Sequence, residues 1–277
     1  MYARAYVEIT NSCNMHCSFC HGHKRRMRFM TMPDFERVLQ QLEGQTRYIY
    51  YHLMGEPLLH PELPQFLRMA KEKGFSSILT TNGTILPEVG DELIEAGVHK
   101  IQISLHSFEQ GESVELERYI RQVGAFAEKA ASAGVIVVLR LWNRGADTDC
   151  NDRIEELLQW YFDEPWVENT RGYRIQERLF LEYGDRFSWP DRDAPQISQR
   201  VFCYGMLEQF GILVDGTVVP CCLDSDGVIA LGNVFTQELS QILSSPRAQA
   251  IADGFRKGIG AEDLCRRCGY AQKFQKG

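Results

Sequence analysis

From residue 5 to about residue 185, short apolar runs alternate with helix-length amphipathic stretches, and few folds accommodate that rhythm. "AYVEIT" (5–10), "RYIYYHLMG" (47–55), "SSILTTNGT" (76–84), "KIQISLHS" (100–107), "VIVVLRLW" (135–142) and "GYRIQERLFLEY" (172–183) read as strands. Helical spacing falls between them, over 32–42, 61–74, roughly 87–96, roughly 113–133 and 152–162. Strands separated by helices of this length pair in parallel through right-handed crossovers. Six strands fit before residue 185 and eight do not, so the pattern favours a partial barrel over a closed one. A doubly wound sheet is the alternative. In both, ligands gather at the C-terminal ends of the strands.

Beyond residue 185 the rhythm stops. "DRFSWPDRDAP" is polar loop, "GILVDGTVVPCC" (211–222) reads as a hairpin turning at Asp215–Gly216, and a helix is expected over roughly 236–252. The expected fold is therefore α/β: a partial (β/α)6 TIM-type barrel over 1–195, then a small α+β module with a β-hairpin over 196–277.

At 277 residues the chain has enough core to fold without disulfides or metals, yet it carries nine cysteines. Arg4 and Glu8 interrupt the first apolar run, which excludes a signal peptide. No stretch approaches the roughly 18 apolar residues of a membrane span. The expected compartment is the cytoplasm, where cysteines serve metals or catalysis more than disulfides. A net charge of −7 argues against a broad nucleic-acid surface. No membrane or nucleic-acid partner is expected.

"CNMHCSFC" (13–20) lies just past the first strand and sets cysteines at i, i+4 and i+7. A structural zinc wants four ligands, and His16, His21 or His23 could supply a fourth. Three thiolates on a [4Fe–4S] cluster instead leave one iron open to a small molecule. The second strand ends in "MGEP" (54–57). Together, "CNMHCSFC" and "MGEP" resemble the CxxxCxxC and GGEP-type motifs of the radical S-adenosylmethionine (SAM) superfamily, over roughly residues 3–185. The resemblance implies a [4Fe–4S] cluster on Cys13, Cys17 and Cys20, with Phe19 at the favoured aromatic position. It implies SAM chelating the open iron and cleaved by one electron to a 5′-deoxyadenosyl radical that abstracts hydrogen.

On this resemblance Gly55, Glu56 and Pro57 meet the SAM ammonium, Thr81 and Asn82 in "TTNG" suit its ribose, and Ser104 and Arg140 match positions contacting ribose and carboxylate. "TTNG" is equally a plain turn, and Arg140 could pair with a structural acid. His52, His106, Trp142, Gln176 and Arg178 lie along or near strand ends, where a substrate contact or a buried hydrogen-bonded role is open to each; no acid or base is assigned. The basic run "HKRRMR" (23–28) is expected to dock an acidic electron donor of flavodoxin or ferredoxin type, with Arg25 and Arg26 as its test positions.

The second cysteine set, Cys203, Cys221, Cys265 and Cys268, resembles the twitch subdomain, a shortened SPASM domain holding one auxiliary [4Fe–4S] cluster. Cys222 could replace Cys221, Cys150 is left over, and a four-cysteine zinc knuckle fits the same spacing. Full ligation suits electron transfer better than substrate binding. The expectation is thus a radical SAM oxidoreductase that dehydrogenates an alcohol-type substrate, with the auxiliary cluster accepting an electron. The alternatives are a peptide or protein maturase forming a crosslink, epimer or oxidised side chain, and a non-catalytic iron–sulfur or zinc protein. A start directly in strand one favours a small-molecule substrate over a peptide.

Overall fold

The computed structural model describes residues 1–108, 113–145 and 150–274. Six strands run parallel as neighbours: β1 (Arg4–Val7), β2 (Tyr48–Tyr50), β3 (Ser76–Thr81), β4 (Lys100–Ser104), β5 (Ile136–Arg144) and, two hairpin strands later, β8 (Leu179–Asp185). Helices α1 (Met32–Leu42), α2 (Leu63–Glu72), α3 (Leu86–Glu95), α4 (Ser113–Ser132) and α5 (Asn151–Tyr161) connect the first five strands and lead out of the fifth. This is the expected partial barrel.

Strand alternation decides what each face carries. Ala5, Val7, Ile49, Tyr51, Leu79, Ile101, Ile103, Val137, Leu139, Leu141, Leu179 and Leu181 join the core beneath the helices. The residues between them, among them Tyr6, Glu8, Tyr50, His52, Gln102, Ser104, Arg140, Trp142 and Glu182, therefore line the barrel interior. The helices follow from ordinary signals. In α1, Thr31 accepts a hydrogen bond from the Asp34 N–H, Pro33 sits in the first turn, and Phe35, Val38, Leu39 and Leu42 form the buried stripe.

Two expectations are corrected. Residues 172–183 do not form one strand. Arg178 takes a left-handed conformation (φ 63°) and folds the segment into β7 (Gly172–Gln176) antiparallel to β8, with β6 (Val167–Asn169) beyond it. Nor is 236–252 one helix. Pro246 has no N–H to continue a helix, and Ser245 caps a new one, so α6 (Leu239–Leu243) ends before α7 (Pro246–Arg256) begins.

The hairpin forms as expected, from β9 (Gln209–Ile212) and β10 (Thr217–Val219), with Gly216 at φ 84° in the turn. The sequence gives no sign that β9 pairs in parallel with β1, matching Ala5 to Phe210 and Tyr6 to Gly211. Among the described residues one sheet of eleven strands consequently runs from the short β11 (Gly232–Asn233) through the barrel to β6. A final short helix, α8 (Asp263–Arg266), carries Cys265. Among the described residues no helix is long and apolar enough to cross a membrane.

Candidate active site

Cys13, Cys17 and Cys20 stand on the long segment joining β1 to α1, and its backbone is held at many points. The Asn11 side chain donates to the Arg26 carbonyl (3.0 Å) and accepts from the Arg28 N–H (2.8 Å). The Thr10 hydroxyl donates to the Arg28 carbonyl (2.8 Å), and the Glu56 N–H donates to the Ser12 carbonyl (2.8 Å). Trp189 donates its indole N–H to the Phe19 carbonyl (2.8 Å), and the Phe19 ring lies 4.9 Å from the His106 ring. Cys13 and Cys20 are exposed and Cys17 is half-buried, its thiol 3.8 Å from the Ser107 carbonyl oxygen.

The loop after β2 presses against this segment. Gly55 has φ 78°, and a Cβ there would lie 2.5 Å from the Thr10 carbonyl oxygen and 2.8 Å from the Asn11 Cα. Only glycine permits that approach. Glu56 is buried; one carboxylate oxygen accepts from the Leu58 N–H (3.0 Å) and the other from the Asn82 N–H (2.7 Å). Burial pushes its pKa up to about 7, against the pull of those hydrogen bonds and one from Thr81. Asn82 in turn donates to the Asn14 side chain (2.9 Å), and Asn14 donates to Thr84 (2.9 Å). The segments after β1, β2 and β3 are thereby tied together around the cysteines.

Arg140 pairs in register with Ser104 on one side and Glu182 on the other. It is buried, its guanidinium lies 3.3 Å from the centre of the Trp142 ring, and its Nη1 reaches Gln102 at 3.4 Å. Its Nε finds no partner among the described residues, and burial lowers its pKa to about 10. His52 projects into the same interior beside the Tyr6 ring (5.5 Å); burial first, then the Arg140 charge, lower its pKa to about 3. His106 lies against the middle of β5, with its Nδ1 at 2.9 Å from the Arg140 carbonyl oxygen. Gln176 and Arg178 are placed elsewhere: Gln176 is in β7, and the Arg178 carbonyl accepts from Val137 at the start of β5, the opposite end from the cysteines.

Arg25, expected as part of a docking face, is turned inward instead. Its guanidinium forms a two-pronged pair with Glu8 (2.7 and 2.6 Å), with 13% of the Arg25 side chain and none of Glu8 exposed. Lys24, Arg26 and Arg28 do face outward, together with Met27 and Phe29, and none of these cations has an acidic partner among the described residues. Sequence reading missed Glu8; the one signal was a charge inside an apolar strand.

In the second module Cys203, Cys221, Cys265 and Cys268 surround one cavity, lined also by Pro220, Phe255 and Tyr270. Cys221 lies within electrostatic reach of the other three. Cys222, although it borders the same cavity, hydrogen-bonds through its side chain to Tyr6 and packs with Tyr6, Leu53, Leu213 and Val219 in the barrel interior. Burial raises the pKa of the Cys203, Cys221 and Cys265 thiols above the ordinary thiol value and takes that of Cys268 to about 11. Such thiols must release protons when they bind a metal. Cys150 lies apart, at the start of α5.

Residues 7–158 match the family described as the radical SAM superfamily, more than half of the chain. The chain belongs to the radical SAM superfamily. It is a radical SAM enzyme, using SAM and a [4Fe–4S] cluster. Residues 203–269 match SPASM, an iron–sulfur cluster-binding domain, which decides between cluster and zinc in the second module. The enzyme is similar to a GTP 3′,8-cyclase of Chlorobaculum tepidum (28% identity over 64% of this chain and 61% of that protein). It is also similar to a probable GTP 3′,8-cyclase of Methanococcus maripaludis (30% over 82% and 87%). Among solved structures, BtrN in complex with AdoMet and 2-DOIA shares the fold (TM-score 0.64, 19% identity, 97% of this chain and 93% of that one). SuiB from Streptococcus suis bound to S-adenosylmethionine does so as well (TM-score 0.65, 14% identity, 100% and 75%).

Proposed function

We propose that this radical SAM enzyme oxidises an alcohol-type substrate to a carbonyl. The observation that carries the reading is the set of four thiols, Cys203, Cys221, Cys265 and Cys268, gathered around one cavity while Cys222 engages Tyr6. A cluster with four protein ligands has no open iron for substrate and suits the acceptance of an electron. When bound to Cys13, Cys17 and Cys20, the other cluster and SAM supply the radical that takes hydrogen from the carbon bearing the hydroxyl. Loss of the hydroxyl proton and one further electron then gives the carbonyl.

In this reading the chain's own part is placement. Phe19 and the Gly55–Pro57 backbone border SAM, and Glu56 holds the loop after β3 so that Thr81 and Asn82 face the ribose. Ser104 and the under-partnered Arg140 meet the ribose and carboxylate. The polar barrel interior receives the substrate. The exposed strip of Lys24, Arg26 and Arg28, with Met27 and Phe29, receives an acidic electron donor of flavodoxin type.

A second reading, radical rearrangement of a nucleotide, is favoured by the GTP 3′,8-cyclases named above. Peptide modification is a third outcome, since SuiB has been solved bound to its precursor peptide on the same fold. The test is anaerobic turnover of the reconstituted enzyme with polyols, GTP and peptides offered separately. The proposal expects an oxidised alcohol formed in step with 5′-deoxyadenosine. A cyclised nucleotide or modified peptide in its place would overturn it.

A further inference from the structure

The buried Glu8–Arg25 pair touches more of the machinery than its place in the sequence suggests. Glu8 stands at the end of β1, and each of its carboxylate oxygens accepts two hydrogen bonds. Oε1 accepts from Arg25 Nη2 (2.6 Å) and from the Met54 N–H (3.2 Å). Oε2 accepts from Arg25 Nη1 (2.7 Å) and from the Val214 N–H (3.0 Å). Arg25 completes the set by donating its Nε–H to the Ser225 carbonyl (2.7 Å). The Lys24 N–H, one residue earlier, donates to the Asp226 carboxylate (2.7 Å).

Those partners belong to four separate parts of the fold. Arg25 is on the returning limb of the cysteine segment, Met54 directly precedes Gly55, Val214 is in the β9–β10 turn, and Ser225 follows the Cys221–Cys222 pair by three residues. Among the described residues neither charge has a second ion-pair partner, and four donors occupy the two carboxylate oxygens. A surface ion pair would leave these segments free to move separately; a buried one with this geometry does not.

We propose that Glu8 and Arg25 are positioning residues for SAM, fixing the Met54–Glu56 backbone and the cysteine segment against the second module. The proposal rests on the reading that residues 55–57 border SAM. In this role each acts through the backbone it holds.

The test uses the full chain reconstituted with iron and sulfide, and its probe is radiolabelled SAM in an equilibrium binding assay. The double variant Glu8→Gln/Arg25→Met removes both charges together, so that no uncompensated charge stays buried. It is expected to keep the iron content of the parent, at some cost in melting temperature from the backbone groups it leaves unpaired, while binding SAM about tenfold more weakly, the scale typical of lost outer-shell support around a metal. Arg25→Lys, which keeps the charge but not the fork, is expected to recover part of that affinity. The SAM-induced change in the EPR spectrum of the reduced protein should shrink in the same order. SAM affinity within twofold of the parent in the double variant would overturn the proposal. So would loss of iron in proportion to the loss of binding, which would make the pair a plain structural tie. Absence of SAM binding by the parent itself would instead overturn the assignment of residues 55–57.

Discussion

Replacing Gly55 by alanine tests whether the approach between the first two loops is as tight as described. Two costs are expected. Alanine in a left-handed conformation costs about 1–2 kcal/mol. A Cβ placed 2.5 Å from the Thr10 carbonyl oxygen and 2.8–2.9 Å from Asn11 backbone atoms meets main chain, not a movable side-chain tip, and overpacking of that kind costs about 1–3 kcal/mol. A total near 3 kcal/mol corresponds to a melting temperature lower by about 6–12 °C in a chain of this size. Gly44→Ala supplies the control: its φ is 74°, and nothing lies within 4 Å of the added methyl. The entropy that alanine removes from the unfolded chain is common to both variants and cancels in the comparison. Gly44→Ala should therefore carry the same conformational cost without the contact, so that the difference between the two variants reads the contact itself, about 1–3 kcal/mol. Thermal and urea unfolding of the two variants beside the parent, measured without cofactors, gives the difference directly. If Gly55→Ala is no more destabilising than Gly44→Ala, the contact with Thr10 and Asn11 is not a constraint and the reasoning fails.

Iron and sulfide analysis of the reconstituted enzyme should give about eight of each per chain. Cys221→Ala or Cys268→Ala should lower this to about four while reductive SAM cleavage continues, and Cys222→Ala should leave it near eight; a loss in Cys222→Ala equal to that in Cys221→Ala would reverse their roles. Glu56, with its pKa raised from 4.5 to about 7, keeps in the folded state a proton that the unfolded chain releases, so stability should fall as pH rises from about 4.5 to 7. Urea midpoints of the cofactor-free protein at pH 5 and pH 7.5 should show that fall, and Glu56→Gln should flatten it. Charge reversal at Arg26 and Arg28 should slow flavodoxin-driven turnover and leave dithionite-driven turnover intact; equal effects on both would reject the docking strip.

The barrel was legible because its outer face repeats. Residues such as Val137, Leu139 and Leu141 must bury against helices, and the period of two is visible in the chain itself. The three-cysteine segment was legible for a different reason, since all its thiols come from one short stretch. The break at Pro246 could have been read from Ser245–Pro246, a helix-start signal inside a continuous apolar pattern. Arg178 carried no comparable signal, because its left-handed turn is imposed by the pairing of β7 with β8. Arg25 looked solvated amid other cations; only the fold brings Glu8, seventeen residues earlier, against it. The choice between Cys221 and Cys222 likewise depends on which way adjacent side chains leave the end of a hairpin, and that depends on β9 lying beside β1.

That last pairing has a consequence for anyone who would divide or recombine this chain. A six-stranded partial barrel has two open rims, each a row of unsatisfied amides and carbonyls able to recruit another molecule's strand. Here β9 covers the β1 rim and β7 covers the β8 rim. Cutting the chain near residue 195 would bare Arg4–Val7 along its full length, and the truncated barrel should self-associate instead of behaving as an independent catalyst. A transplanted C-terminal module would have to do more than bring cysteines. It would have to deliver a strand of at least four residues, parallel to β1 and in the same register, or the barrel would be left unsealed.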